Sequence, residues 1–370
     1  MKMKTTRRTP QIDRDTVVSA TSLRNYVRDN GISDWIQIHG EKFGYRLNRL
    51  SAFTQHIMRR GLNCELKEVT RIKSLLNNRD DFIQICKEMP NDVYKLDSIK
   101  ATRSAMEQAI PVIYQGCLYS KLKSLIGAPD FIVRGDYLQR LFDIIPPKIK
   151  ATYGNLLTHN YIYYIVDVKS KNIKILKNGL VSNSKKFMHY KTQITVYNMC
   201  LKDIQGIYPS EAYIATPCGV GSVKLTEGDE FYYSFTLSAK NWYLNMRKTG
   251  AKWDPADLKT IPKKFWHAMI PNLKIFDDVT QDAKNEIALR TDSIGLLPWC
   301  GQVKVEKALE MGISSYKDPK CTASFLGFSN SRADIINGVI DINKGNTPVK
   351  YNKLTRFRPN EFFLDMEYVS

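Results

Sequence analysis

Apolar positions along the chain change their spacing several times, and each change marks an element. Over 50–76 (LSAFTQHIMRRGLNCELKEVTRIKSLL), Met58, Gly61, Leu62, Glu65, Val69 and Ile72 recur at steps of three and four. That period predicts one long helix with a carboxylate set inside its apolar stripe. Upstream, SATSLRNYVRDNGISDWIQIHG (19–40) predicts a helix, a turn at glycine and a second short amphipathic helix. Three apolar, β-branched or aromatic runs then predict strands: AIPVIYQGCLYS (109–120), PDFIVRG (129–135) and YIYYIVDVK (161–169). Helical spacing returns in SKKFMHYKTQITVYNMCL (184–201), with Phe187, Tyr190, Ile194, Tyr197 and Leu201 in phase, and EAYIATP (211–217) predicts a further strand. The order α-β-β-β-α-β predicts an α/β fold, a mixed sheet flanked by helices. From residue 240 the pattern turns helical, and no internal repeat or low-complexity tract interrupts it.

The 370 residues, 43% of them apolar and 11% aromatic, suffice for two or three domains with sizeable cores. Fifty-five Lys and Arg against 37 Asp and Glu give a net charge of +18, which points to a polyanionic partner. No apolar run approaches the ~18 residues that span a bilayer, so no membrane role is expected. The opening MKMKTTRRTPQ is polar and basic, expected to be a mobile arm. Seven cysteines stand singly, without the local ligand pairs that a structural zinc needs. They read as reduced thiols of an intracellular protein.

The candidate chemistry lies at the strand ends. Asp167 and Lys169 share one face of the strand 161–169, because side chains alternate with period two. Asp130 opens the strand 129–135 behind Pro129, and Gly127 permits a turn just before it. Pairing of the two strands brings both acids to one point, with Lys169 beside them and Glu65 approaching from the long helix. Carboxylates without histidine suit a hard, oxygen-seeking ion such as Mg²⁺ or Mn²⁺. An adjacent lysine can stabilise charge as it develops on a phosphate.

GAPDF (127–131) and DVK (167–169) together resemble the PD-(D/E)xK nuclease superfamily. RRGLNCELKEV (59–69) resembles the G-xxx-H/E helix that precedes the core in RecB-like members, and KTQITVYNM (191–199) carries their Q-xxx-Y signature in Gln193 and Tyr197. Over roughly 19–345 the chain resembles predicted RecB-type nucleases of large DNA viruses and some prokaryotes. The resemblance implies a metal-dependent deoxyribonuclease of DNA repair, recombination or replication, acting on DNA ends or single strands. It implies metal ligation by Glu65, Asp130, Asp167 and the Val168 carbonyl, with Lys169 catalytic. Gln193 and Tyr197 would position either the substrate phosphate or that lysine. Two departures stand out: glutamate replaces the frequent histidine at position 65, and the strand carries D-x-K rather than E-x-K. The cysteines that cluster after the Q-xxx-Y helix in some relatives are missing, so no iron–sulfur cluster is expected.

Between Asp167 and Asp203 the chain has eight lysines and no acid. Among them Lys171, Lys174, Lys185, Lys186 and Lys191 are the candidate phosphate contacts. EFFLDMEYVS, with Asp365 and Glu367, is similar to the first motif of the RNase-H-like DEDD exonucleases that often come after such nucleases. The expected plan is a mobile arm (1–18), a helical segment (19–48), the nuclease core (49–239), a helical region (240–350), and a linker with the start of a DEDD domain (351–370). Two other readings stand beside this one: an RNA endonuclease of the cap-snatching layout, and a nuclease fold that binds nucleic acid without turnover.

Overall fold

A computed structural model of the chain describes residues 10–147, 156–157, 159–228 and 231–345. Strand β1 (Val18–Ser19) leads to α1 (Arg24–Val27), α2 (Ile32–His39) and the 24-residue α3 (Ala52–Leu75). Then come β2 (Phe82–Gln84), α4 (Leu96–Glu107), β3 (Val112–Tyr114), β4 (Leu118–Ser120), β5 (Leu125–Gly127), β6 (Phe131–Arg134) and α5 (Gly135–Phe142). Strand β7 (Tyr163–Val168), α6 (Met188–Gln205), β8 (Glu211–Thr216) and β9 (Gly219–Lys224) complete the sheets. Beyond them lie the helices α7 (Tyr233–Thr249), α8 (Trp266–Met269), α9 (Gln281–Arg290), α10 (Gln302–Glu310) and α11 (Asn330–Asn343).

The main sheet is mixed, in the order β2-β3-β6-β7-β8-β9, with β2–β3 and β7–β8 parallel and the other neighbours antiparallel. Both of its faces are covered, which is why β7 reads as an unbroken apolar run rather than an alternation. On one face Ile113, Ile132, Tyr163, Ile165 and Ile214 pack under Ile194 and Tyr197 of α6. On the other, Tyr114, Phe131, Tyr164 and Val166 pack under Val69 and Ile72 of α3 and Leu138 and Leu141 of α5. A three-stranded sheet, β1-β5-β4, extends the α6 side.

Several elements differ from expectation. The stretch 109–120 is two strands in two sheets, because Gln115 at φ 50° turns the chain between them. The α3 stripe is buried only near its C-terminal end, at Val69 and Ile72, whereas Met58 and Leu62 are 61% and 52% exposed. The arm is anchored from residue 10, where Ile12 N–H donates to the Tyr94 carbonyl at 2.8 Å and Val17 and Val18 are buried.

The chain divides into two units, Met1–Ile287 and Ala288–Ser370. The segment 240–287 therefore belongs with the sheet rather than with the second unit. Its Trp242, Met246, Phe265 and Met269 share one core with Ile32, Trp35 and Ile36, and Trp35 Nε1 donates to the Gly250 carbonyl at 2.8 Å. In the second unit α10 buries Val305, Ala308 and Leu309, and α11 buries Ile336 and Ile340. Asp365 and Glu367 lie outside the described residues. No helix among the described residues is long and apolar enough to cross a membrane.

Candidate active site

Strand register creates the site. Antiparallel pairing sets Phe131 against Val166, so Asp130, one residue earlier, stands beside Asp167, one residue later. Asp130 Oδ2 accepts from the Val168 N–H at 2.6 Å, and its main-chain carbonyl accepts from the Gln115 N–H at 2.9 Å. On the other side β8 holds β7 in place, with the Lys169 N–H donating to the Ala215 carbonyl at 2.8 Å. Three neighbouring strands thus fix the backbone around Asp130, Asp167 and Lys169.

The side chains are short of countercharge. Asp167 is 1% exposed and forms an ion pair with Lys169 Nζ. Burial, then the charges of Asp167 and Glu65, push Asp130 well above the carboxylate range, against the pull of Lys169. Burial alone would lower Lys169, but Asp167 and Asp130 outweigh it and hold the ammonium above its ordinary value. One ammonium therefore faces two buried acids and a third nearby, an arrangement that a further cation would relieve.

Glu65 reaches this strand end from α3. Its Oε1 accepts from Tyr114 Oη at 2.7 Å and from Gln115 Nε2 at 2.9 Å. Asp130, Asp167 and Lys169 are brought together, but Glu65 does not close a cage around them. Among the described residues no three His, Cys, Asp or Glu side chains are grouped to hold a metal. The donor set still fits a divalent ion: hard carboxylate oxygens, buried, with net negative charge.

Gln193 and Tyr197 lie on α6 above the acids. Gln193 Nε2 donates to Tyr197 Oη at 2.8 Å, and burial together with Asp167 and Asp130 pushes the phenol well above its ordinary value. A Cβ added to Gly127 would stand 2.5 Å from Tyr197 Cε1. This glycine, expected to permit a turn, lies inside β5 and serves close approach of the ring instead. Tyr190 puts its ring 5.4 Å from Lys169 Nζ.

The lysines fare unequally. Lys171 and Lys174 are exposed, and Lys174 and Lys186 line a common 370 Å³ hollow beside Phe187. Lys185 is paired with Asp29. Lys191 is no phosphate contact. It is 4% exposed, and its Nζ donates to the Val181 carbonyl at 2.9 Å and to Asn183 Oδ1 at 2.5 Å. Its place on the inner face of α6 takes it from the surface, and burial lowers it to about 8.

Sequence reasoning missed Tyr114 and Gln115, which hold Glu65. Their only signal is a polar residue closing the apolar run PVIY, hidden while 109–120 is read as one strand. Comparison with protein-family models and with curated proteins gives no match for this chain.

Proposed function

We propose that the protein is a divalent-metal-dependent nuclease with a PD-(D/E)xK core of the RecB-like branch, hydrolysing phosphodiesters in DNA. The observation that supports this most is the alignment of Asp130 with Asp167 across β6 and β7, with Lys169 paired to the second acid. Asp130 and Asp167 would hold Mg²⁺ or Mn²⁺ with the Val168 carbonyl as a further donor; Glu65, which stands apart from the two acids in this structure, would join through Oε2 while Oε1 stays on Tyr114 and Gln115. The ion, once bound, supplies Lewis-acid activation of water and neutralises phosphate oxygens.

The chain's own groups do the rest. Lys169, freed from charge balance with Asp167, places its ammonium where negative charge grows on the phosphorus oxygens. Tyr190 and Tyr197 wall the ammonium and the acids from bulk water, which strengthens these interactions. Gln193 fixes the Tyr197 hydroxyl through its 2.8 Å hydrogen bond and so sets the upper edge of the site. The +18 net charge favours encounter with a polyanion. Incubating the purified protein with end-labelled single-stranded DNA and Mn²⁺ tests the reading. Cleavage abolished by EDTA is expected; RNA cut in preference to matched DNA would move the assignment to the cap-snatching layout.

A further inference from the structure

The strand end that carries Asp167 and Lys169 has a second side. Side chains alternate, so Val168 and Ser170 face away from those two. Both line a cavity of about 1010 Å³ bounded by α3, α5 and the β8–β9 turn. The helix lies close to this strand end: a Cβ on Gly61 would meet Ser170 Oγ at 4.0 Å.

The cavity is charged, and its charges are not all spent on the fold. Arg60, Lys67, Arg71 and Arg140 line it against Glu68 and Asp143. Glu68 is taken by Arg71, whose Nε donates at 2.9 Å. Asp143 accepts from Gln139 Nε2 at 2.7 Å, and Arg140 donates to Asn77 Oδ1 at 2.6 Å. Arg60 and Lys67 remain: both are exposed and neither has a hydrogen-bond or ion-pair partner among the described residues. Seven residues apart on α3, they lie two turns from each other on one side of the helix, about 10 Å along its axis.

We infer that this cleft carries the single strand onward from the scissile phosphate, with Arg60 and Lys67 holding its backbone; the inference rests on the nuclease reading. A strand whose phosphate sits at Asp167 can pass around the end of β7, and this basic trough lies on the other side of that strand end. Its volume lies at the top of the ~300–1,000 Å³ taken by small-ligand pockets, which suits a few unpaired nucleotides. Backbone contact by two unpaired cations carries no sequence preference.

Cys64 reports on the cleft directly. It lines the cavity and is half-buried, Cys218 is exposed, and the other five cysteines are buried. In a Cys218→Ser protein kept in EDTA, so that nothing is cut, maleimide labelling of Cys64 is timed with and without a dT oligonucleotide. The oligonucleotide is expected to slow labelling at least ~10-fold. The Arg60→Ala/Lys67→Ala double variant is expected to reduce the slope of log Kobs against log[salt] by about 1.4, from ~0.7 per phosphate on single strands. Binding that leaves the Cys64 rate and the slope unchanged overturns the inference and leaves the nuclease reading standing. Equal protection by a blunt duplex overturns the single-strand assignment. Absence of any nucleic-acid binding overturns both.

Discussion

Asp130 Oδ2 accepts a 2.6 Å hydrogen bond from the backbone N–H of Val168, the residue between Asp167 and Lys169. The acid at the entry of one strand thereby clamps the end of the next, and the two carboxylates cannot drift apart without breaking the sheet. Their mutual repulsion is built in, and among the described residues Lys169 is the only ammonium paired with them in the site.

Lys169→Met removes that ammonium. Its side chain is 17% exposed and that of Asp167 2%, so the pair is largely out of solvent. Leaving one partner of a buried pair uncompensated costs about 3–5 kcal/mol. Thermal denaturation in EDTA is expected to show that loss, and Mn²⁺ is expected to restore much of it by taking the ammonium's place. Equal melting of variant and wild type in EDTA would refute the charge-balance argument.

Gln115→Ala should act on Glu65 without touching the acids themselves. The variant loses the 2.9 Å hydrogen bond to Glu65 Oε1 while the Tyr114 contact remains. Loss of an orienting partner behind a metal ligand typically costs ~10–100-fold in affinity. Calorimetric titration with Mn²⁺ should show a weakening of that order with unchanged stoichiometry. Unaltered affinity would mean that Glu65 takes no part in holding the ion.

Gly127→Ala tests the close approach of β5 and α6. The new methyl would stand 2.5 Å from Tyr197 Cε1 and 3.0 Å from Cδ1. Overpacking of this kind costs about 1–3 kcal/mol. Tyr197→Leu should return part of it, giving a favourable coupling in a double-mutant cycle read by urea denaturation. Additive losses would place the strain elsewhere.

Asp34 gives a pH dependence of known sign. Its Oδ2 is buried without a partner among the described residues, Asn25 Nδ2 donates to Oδ1 at 2.7 Å, and burial raises the carboxyl from 3.8 to about 8. Below the unfolded value both states hold the proton. Between there and about 8 the unfolded chain releases it while the folded chain keeps it, so stability falls as pH rises through that window. Asp34→Asn keeps the acceptor for Asn25 and removes the titration. Urea denaturation at pH 5 and pH 8 should show a smaller loss across the interval in the variant, and an identical loss would contradict the assignment.

The sequence made the sheet and its acids legible because both follow from period two. YIYYIVDVK announces a strand buried on both faces, and D-x-K at its end puts two functional groups on one side. The Gln193–Tyr197 pair was legible for a similar reason, four residues apart on one helix face. Other features were not. The break at Gln115 depends on one residue at positive φ, which an apolar run conceals. The exposure of Met58 and Leu62 depends on where α3 meets the sheet, a tertiary fact that a helical stripe cannot encode. Lys191 reads as one lysine in a basic run, yet α6 turns it inward to the Val181 carbonyl. The union of 19–48 with 240–287 rests on contacts such as Ser33 Oγ with Thr280 Oγ1 at 2.8 Å, between residues remote in sequence.

Cleavage of end-labelled single-stranded DNA in Mn²⁺, by wild type and by Asp167→Asn side by side, bears most directly on the proposed activity. The account predicts cutting by wild type, none in EDTA, and a fall of at least ~10²-fold in the variant, the scale of losing one preorganised electrostatic group. Cutting at the wild-type rate by Asp167→Asn, or none by wild type, would contradict it.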